Sequence, residues 1–252
     1  MELIEEILHR ENIQYLRDEH AIRIGGIALQ YIELTPSVYN IRQTFDLYKR
    51  DGVHLYTLTN NVSAIKLRGF IRSKLGLLPR LHARKCRVTT VSPDVYSKFL
   101  ARHHIQGSTQ STWRYGLTYD GNLVAVMGFV RVIDKTILNR FCLGDFAVVG
   151  SASKLLSHAL AELQSPIETF SSNAYSNGRV YESIGFRYIG ENKTDLWYIS
   201  PDGKLLNRRQ FQKKMLSKKL QRYNPTLTER ENMIMNGYGV YNNSGTIKWV
   251  YE

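Results

Sequence analysis

The sequence has little cysteine, on which small secreted proteins depend, and no long apolar segment of the kind that membrane-spanning proteins need. Only Cys86 and Cys142 are cysteine, and without a Cys-x-x-Cys partner they support neither a disulfide framework nor a thiolate zinc site. We expect both to be buried thiols. No segment reaches the ~18 uninterrupted apolar residues of a membrane span. The first residues, with Glu2, Glu5 and Glu6, are acidic where a secretory signal would be basic, so we expect a cytoplasmic protein.

Acidic residues are also scarce relative to basic ones. The chain has 34 Lys and Arg against 22 Asp and Glu, a formal net charge of +12. Such an excess favours a polyanionic partner, nucleic acid first and an acidic membrane second. The alternative is a solvated basic surface that only aids solubility. The seven histidines form no His-x-His, His-x-x-x-His or His-Glu-x-x-His pattern, and we expect no metal.

The first part of the chain, residues 1–80, predicts a small mixed α/β unit. The strands 21–24 and 27–32 flank Gly25-Gly26, a two-residue hairpin signal. Apolar spacing predicts a helix over 38–50 and another over 62–75, with a strand over 53–58 between them. Basic residues follow at 80–87 and lead into a second unit.

The second part, residues 87–200, alternates strands and helices. Ser92-Pro93 opens a helix that extends to about His103. Strands over 115–119 and 123–129 flank Asp120-Gly121-Asn122, a turn with hairpin chemistry. Later segments predict strands over 137–141, 146–149, 167–170 and 186–189, with helices over 151–163 and 178–184. We therefore expect an α/β (α+β) fold class for the chain as a whole.

We expect residues 201–252 to form a basic C-terminal extension that either packs against the rest of the chain or binds DNA. Positions 204–222 hold eight Lys or Arg and no Asp or Glu. Leu205, Phe211, Met215 and Leu216 have the spacing of one helical face, which predicts a helix there.

One local pattern points to an anion site. A strand ends at Val149, small residues follow, and a helix begins. Backbone N–H groups at such a helix N-terminus suit a pyrophosphate. The predicted cofactor-binding residues are Val149, Gly150, Ser151, Ala152, Ser153 and Lys154. The alternative is a tight strand-to-helix turn with no ligand.

Together with Tyr181-Glu182-Ser183-Ile184-Gly185-Phe186, this turn resembles the GNAT superfamily of N-acetyltransferases. In that superfamily the turn holds the coenzyme A pyrophosphate, and the second segment packs beside the acyl chain. The resemblance implies acetyl-CoA or another acyl-CoA as cofactor. Tyr181 is the candidate catalytic residue, a proton donor to the leaving thiolate, with packing as its alternative role.

A wider resemblance covers nearly the whole chain. The segments that carry it are His104–Gly107, Asn139–Cys142, Val149–Leu156, Ser176–Gly178 and Thr228–Met233 with Gly237-Tyr238. They are similar to phage-encoded homing-endonuclease-like proteins. In that family a PD-(D/E)XK nuclease domain, similar to very-short-patch repair endonucleases, precedes a GNAT-like domain that resembles Mom-type DNA-modification proteins. The resemblance implies a phage origin, a host-cell location and double-stranded DNA as partner, with no membrane.

The first unit departs from an active nuclease of this type. Gln30 stands where the strand glutamate is expected, and the later acidic strand end reads Thr59-Asn60-Asn61. Only Asp18 or Glu19 remains near the upstream aspartate position. Magnesium needs carboxylate oxygens on adjacent strands, so we predict a degenerate nuclease-like domain over 1–80 without cleavage activity.

The second unit also departs from its family. Thr169-Phe170-Ser171-Ser172 replaces a segment that ends in aspartate, which removes the best candidate for a general base. Acyl transfer that relies on alignment of amine and thioester does not need that base.

Three basic clusters are candidates for contact with DNA phosphates. The predicted nucleic-acid-binding residues are Lys66, Arg68, Arg72, Lys74, Arg84, Lys85, Arg208, Arg209, Lys213, Lys214, Lys218 and Lys219. No helix-turn-helix or zinc-finger pattern is present. The favoured function is DNA binding with acyl-CoA-dependent modification near the duplex. The alternatives are a non-catalytic phage factor that binds DNA or a host protein, and an active homing endonuclease.

Overall fold

The computed structural model describes residues 2–163 and 166–252. The chain has a mixed α/β fold, which confirms the predicted fold class. It divides into two compact units that are interleaved along the sequence. The first unit consists of residues 1–61, 172–175 and 192–246, and the second of residues 62–171, 176–191 and 247–252.

The bounds of the helices and strands are as follows. The helices are α1 Glu2–Arg10, α2 Ile41–Arg50, α3 Ala64–Lys74, α4 Pro93–His103, α5 Ser151–Ala159, α6 Arg179–Ser183, α7 Lys213–Leu216 and α8 Glu229–Met235. The strands are β1 Leu16–Arg17, β2 Ile22–Ile24, β3 Ile27–Ile32, β4 Val38–Asn40, β5 His54–Thr59, β6 Arg80–His82, β7 Arg87–Thr90, β8 Trp113–Tyr119, β9 Asn122–Val132, β10 Lys135–Leu143, β11 Ala147–Val149, β12 Ile167–Ser172, β13 Arg187–Asn192, β14 Leu196–Ile199, β15 Leu205–Asn207, β16 Gly239–Asn242 and β17 Thr246–Tyr251. Short 3-10 turns lie at Ala83–Lys85 and Arg208–Phe211.

The first unit contains two four-stranded sheets. One has the order β1-β2-β3-β5, antiparallel except for the parallel pair β3 and β5. Helix α2 packs Phe45 and Tyr48 against Ala21, Ala28 and Leu55 of this sheet region. The predicted hairpin at Gly25-Gly26 is confirmed, and Gly25 has a φ of 56°, a conformation that glycine adopts at little cost.

The second sheet of this unit has the order β15-β14-β16-β4. Strand β4 pairs in parallel with β16, so Val38–Asn40 is extended and the predicted helix over 38–50 begins only at Ile41. The helix predicted over 204–222 is wrong. Its residues form strand β15, a 3-10 turn and the four-residue helix α7, because Leu205–Asn207 satisfies its backbone by pairing with β14.

The second unit is built on a seven-stranded sheet with the order β13-β17-β12-β10-β9-β8-β7. Strands β7 to β10 are consecutive antiparallel neighbours, and β10 pairs in parallel with β12. Helix α5 covers one face, where Leu155 and Leu156 contact Tyr115, Leu117 and other residues of the main core. Helix α4 packs Tyr96, Phe99 and Leu100 with Val126 and Cys142.

Several local predictions for this unit are confirmed. Helix α4 starts at Pro93, and Ser92 Oγ accepts a hydrogen bond from the Val95 N–H at 3.5 Å. The hairpin between β8 and β9 turns at Asp120 and Gly121, both with positive φ (47° and 76°). Cys86 and Cys142 are free and buried.

The predicted domains 1–80, 87–200 and 201–252 are contiguous, whereas the compact units are not. Helix α3 belongs to the second unit, and residues 192–246 belong to the first. The reason is long-range strand pairing, such as that between Val240 and Val38. The nuclease-like and extension characters assigned to 1–80 and 201–252 stay predictions. No helix in the described part of the chain is both long and apolar enough to cross a bilayer.

Candidate functional site

The strand-turn-helix predicted at Val149–Lys154 is present in the second unit. Strand β11 ends at Val149, Gly150 has a φ of 80°, and the nine-residue helix α5 follows. A Cβ placed on Gly150 would meet only the Ala83 Cβ, at 3.8 Å. Ser151 and Ala152 are buried while Val149, Gly150 and Ser153 are exposed. The first N–H groups of a helix have no acceptor within it, so unpaired backbone donors are expected at this turn, where Gly150 and Ser153 are exposed.

The side chains of the turn are already engaged. Ser151 Oγ donates a hydrogen bond to the Val148 carbonyl at 2.6 Å. Lys154 Nζ donates to the carbonyl oxygens of Ala83 (3.0 Å) and Cys86 (2.7 Å). Lys154 therefore fixes the 3-10 turn Ala83–Lys85 beside α5.

That 3-10 turn carries positive charge. Arg84 and Lys85 are both exposed on it, and its Ala83 is the closest residue to the open side of Gly150. These two cations, predicted as DNA contacts, thus lie on the turn that borders the α5 N-terminus. An anion at that N-terminus would meet backbone donors and a positive field together.

Strands β10 and β12 stop pairing in the middle of the sheet. Within the described residues their parallel ladder joins Thr136–Leu138 to Ile167–Thr169, although β10 continues to Leu143. A β-bulge between Leu138 and Arg140 coincides with the end of the ladder. Bulges re-aim side chains and often border binding sites. The end of this ladder is the second element of the candidate site.

Tyr181, the candidate catalytic residue, lies on α6 and is half-buried. Its ring packs against Phe186 (centroids 5.8 Å apart) and Trp249 (6.4 Å). Burial raises the pKa of the Tyr181 hydroxyl, and the hydrogen bond with Thr169 and the charge of Arg140 oppose that rise. The phenol is therefore protonated near neutral pH and can donate a proton.

The position of α6 depends on close packing at its start. Gly178 has a φ of 77°, and a Cβ there would collide with the Trp249 ring. Trp249 Nε1 donates a hydrogen bond to Ser171 Oγ at 2.9 Å. Sequence reasoning missed Trp249, because an isolated tryptophan in a strand gives no sign of its neighbour.

A polar network supports the bulge from the α4 side. Asn139 Nδ2 donates to the Gln110 carbonyl (2.8 Å), and its Oδ1 accepts from Ser111 Oγ (2.9 Å). Ser111 Oγ is also hydrogen-bonded to Tyr96 OH at 3.0 Å. The Tyr96 hydroxyl occupies the place that a side chain on Gly128 would need. Asn139 is therefore held in one orientation by neutral partners.

Three basic side chains form a group that we call the cationic trio: Lys66 on α3, His104 at the end of α4, and Arg140 after the bulge. All three are half-buried. Burial, followed by the positive charges of Arg140 and Lys66, lowers the pKa of His104 to about 3. His104 is thus a neutral imidazole beside two cations.

The predicted DNA contacts differ in how far they are available. Arg68, Arg84, Lys85 and all six predicted residues from Arg208 to Lys219 are exposed, whereas Lys66, Arg72 and Lys74 are half-buried. Burial lowers the pKa of Lys74 to about 8. Arg208 Nε forms an ion pair with Glu229 at 2.7 Å. Lys219 Nζ donates to the Gln210 carbonyl at 2.7 Å.

In the first unit, the positions that a nuclease would fill with metal ligands have other partners. Gln30 is buried, and its Oε1 accepts from Thr57 Oγ1 at 3.4 Å. Asn60 Oδ1 accepts the Leu34 N–H at 3.1 Å. Among residues 2–163 and 166–252, no three His, Cys, Asp or Glu side chains are grouped as a metal site requires.

Asp18 belongs to what we call the Asp18 network, formed by Asp18, Arg23 and Tyr48. One carboxylate oxygen accepts from the backbone N–H groups of His20 and Ala21 (both 2.9 Å) and from the Tyr48 hydroxyl, and the other accepts from Arg23 Nε (2.7 Å). Burial alone would raise the pKa of Asp18, but these hydrogen bonds hold it well below the ordinary carboxyl value. Glu19 is exposed nearby.

No protein-family model matches the chain, and no curated protein matches it. Solved structures similar to it include acetyltransferases. The ribosomal-protein-S18-alanine N-acetyltransferase from Escherichia coli is 14% identical with a TM-score of 0.41, over 66% of this chain and 92% of that one. A Bacillus subtilis acetyltransferase in complex with CoA is 12% identical with a TM-score of 0.39, over 67% and 99%.

A GNAT family acetyltransferase from Elizabethkingia anophelis with acetyl-CoA bound is 12% identical with a TM-score of 0.35, over 67% of this chain and 98% of that one. At such identities and TM-scores, similarity establishes neither the activity nor the substrate of this chain. Those must be argued from its own residues.

Proposed function

We propose that the second unit is an acyltransferase that uses acetyl-CoA or another acyl-CoA. The observation that carries the proposal is the open, left-handed Gly150 turn at the start of α5, bordered by exposed Arg84 and Lys85. The space beside Gly150 fits a diphosphate that approaches the backbone closely. The residues that would hold it are those predicted, Val149–Lys154, with Lys154 acting through the 3-10 turn that it anchors.

The chemistry requires an activated acyl group, which the thioester of the bound cofactor supplies. Acyl transfer to an amine would exchange the C–S bond of the thioester for a C–N bond, and the proton that the amine loses would balance the one that the leaving sulfur gains from a donor on the protein. Tyr181 lies on α6 and is protonated near neutral pH. Its hydroxyl forms a hydrogen bond with Thr169, the last β12 residue that pairs with β10. It is the candidate proton donor, and it lies where the pairing of β10 with β12 ends.

Calorimetry with acetyl-CoA tests the proposal. We expect saturable binding that Gly150→Asp abolishes through bulk and repulsion of the diphosphate. Gly121→Asp is the matched control, because Gly121 also has positive φ (76° against 80°) and open space around it. Absence of binding at millimolar acetyl-CoA to folded protein would remove the proposal.

We propose double-stranded DNA as partner, on a separate observation in the first unit. The cations Arg209, Lys213, Lys214 and Lys218 are exposed there. The sequence from 204 to 222 contains no Asp or Glu beside them. Cations of this kind neutralise phosphates without reading sequence. A cytoplasmic location, in a host cell if the chain is phage-encoded, is part of the same proposal. If DNA binds and acyl-CoA does not, the non-catalytic factor for DNA or a host protein becomes the better function.

Fluorescence anisotropy with unrelated duplexes tests DNA binding. Log affinity should fall linearly with log salt, and a combined Lys213→Glu and Lys214→Glu variant should weaken binding equally for all duplexes. The control with the same change in net charge is Lys98→Glu with Lys193→Glu, both also exposed. A flat salt response, or equal losses in the two variants, would contradict a specific basic surface.

A further inference from the structure

The cationic trio is unusual because its charges are not neutralised by the protein. In the described part of the chain, no carboxylate forms an ion pair with Lys66, His104 or Arg140. Arg140 Nη1 donates to the Asn139 carbonyl at 2.8 Å, but its buried Nε has no hydrogen-bond partner there. Burying an unpaired polar group is costly, and an anionic ligand would supply the partner that Arg140 Nε lacks.

All three side chains present donors. Lys66 Nζ reaches toward the Gly107 loop, within 3.7 Å of a Cβ built on Gly107. His104 Nδ1 accepts the Gln106 N–H at 3.2 Å, so in the neutral ring Nε2 carries the proton and is a donor. A guanidinium, an ammonium and an imidazole N–H together match the several oxygens and the near-double negative charge of a phosphate better than one carboxylate.

The trio is placed to act on a reacting substrate. Arg140 directly follows the bulge where β10 leaves β12, and its charge acts on Tyr181. The elements that carry the trio are α3, the end of α4 and β10, whereas the α5 turn borders Ala83 and β6. The trio is therefore distinct from the turn proposed for the cofactor diphosphate.

We propose that the cationic trio binds a phosphate group carried by the acyl acceptor. This inference rests on the proposed acyl transfer, since it names the second substrate of that reaction. A nucleotide or a DNA strand, in which a base carries the amine, is an acceptor of this class. The acceptor phosphate would complete the hydrogen bonding of Arg140 and hold the attacking amine near the point where β10 and β12 stop pairing.

NMR of arginine side chains tests the site. Inorganic phosphate should shift the Arg140 Nε–H signal saturably, both without CoA and with saturating CoA. Lys66→Met should weaken phosphate binding about tenfold or more, the loss of one charge-assisted contact. Arg131→Met, an exposed arginine on β9 of the same sheet, should leave it unchanged. Arg140→Lys keeps the charge, assigns the signal and should bind phosphate more weakly.

The other outcomes overturn the inference in separable ways. A shift that CoA competes away would make the trio part of the cofactor site. Tighter binding of acetate than of phosphate would mean that the trio binds a carboxylate of the acceptor instead of a phosphate. No saturable shift in protein that binds CoA would remove the trio as a site and leave the proposed function standing. If CoA itself does not bind, the proposed function and the acceptor assignment fall, and a phosphate shift then marks an anion site alone.

Discussion

The Asp18 network in the first unit and the cationic trio in the second are both partly buried polar groups, but only one is complete. Every member of the Asp18 network meets an opposite charge or a hydrogen-bond partner within the chain. The trio has like charges side by side and a buried donor without an acceptor. Complete polar networks specify a fold, whereas incomplete ones point to a ligand. The Asp18 network therefore serves the fold, and the cationic trio is the one of the two for which we propose a ligand.

The largest effect that follows from this comparison is on stability in the first unit. Asp18→Asn should lower the free energy of unfolding by about 1–2 kcal/mol, because four donors lose a charged acceptor that is still partly exposed. Urea denaturation measures the loss. Glu6→Gln, which breaks an exposed i,i+4 pair with Arg10, should cost only about 0.3–0.5 kcal/mol. Equal losses in the two variants would mean that the network adds nothing beyond surface pairing.

Acid should remove the same stabilisation from the unmodified protein. The pKa of Asp18 is lower in the folded chain than its ordinary value, so its contribution is complete above about pH 4 and is lost as pH falls further toward the folded pKa. The stability difference between the wild type and Asp18→Asn should therefore be constant from pH 5 to 7 and shrink below pH 4. A difference that grows in acid would reverse the assignment.

Arg140→Met should have a smaller effect on stability, with the opposite tendency. Removing a cation whose Nε is buried without a partner should leave the free energy of unfolding within about 1 kcal/mol of wild type or raise it. Arg23→Met is the contrasting variant, since it takes a partner from Asp18 and should destabilise. If Arg140→Met is the more damaging of the two, Arg140 serves the fold and the comparison fails.

The smallest expected effect is on DNA cleavage. Neither the wild type nor Gln30→Glu should nick a supercoiled plasmid with Mg²⁺ or Mn²⁺, because Asp18 already has its oxygens engaged and one added carboxylate does not make a metal site. Gel electrophoresis of the plasmid measures this. Cleavage by the wild type that disappears in Glu19→Gln would show that a different carboxylate set holds the metal.

Local chemistry was enough to predict two hairpin turns and the starts of α4 and α5. Gly25-Gly26 and Asp120-Gly121 form the predicted hairpins, and Ser92-Pro93 opens α4 as expected. The strand-turn-helix at Gly150 was also predicted from its small residues. In each case the residues that determine the conformation are neighbours in sequence, so one segment contains the information.

Pairing between distant segments was not predictable in this way. Val38–Asn40 has helical apolar spacing but is extended because β16 pairs with it. The apolar residues after Lys204 form strand β15 and part of a small core, instead of one face of a helix. The trio was missed for the same reason: Lys66, His104 and Arg140 are distant in sequence.

The strand order of the seven-stranded sheet has a consequence for how the chain reaches its native state. Strand β17 lies between β12 and β13, yet it follows both of them by more than fifty residues, most of which belong to the other compact unit. The place of β17 inside the sheet is therefore unfilled until the intervening residues have been synthesised and folded. Such non-local closure slows folding and leaves unpaired strand edges exposed to other chains. Dependence on chaperones during synthesis is the expected cost of this interleaving.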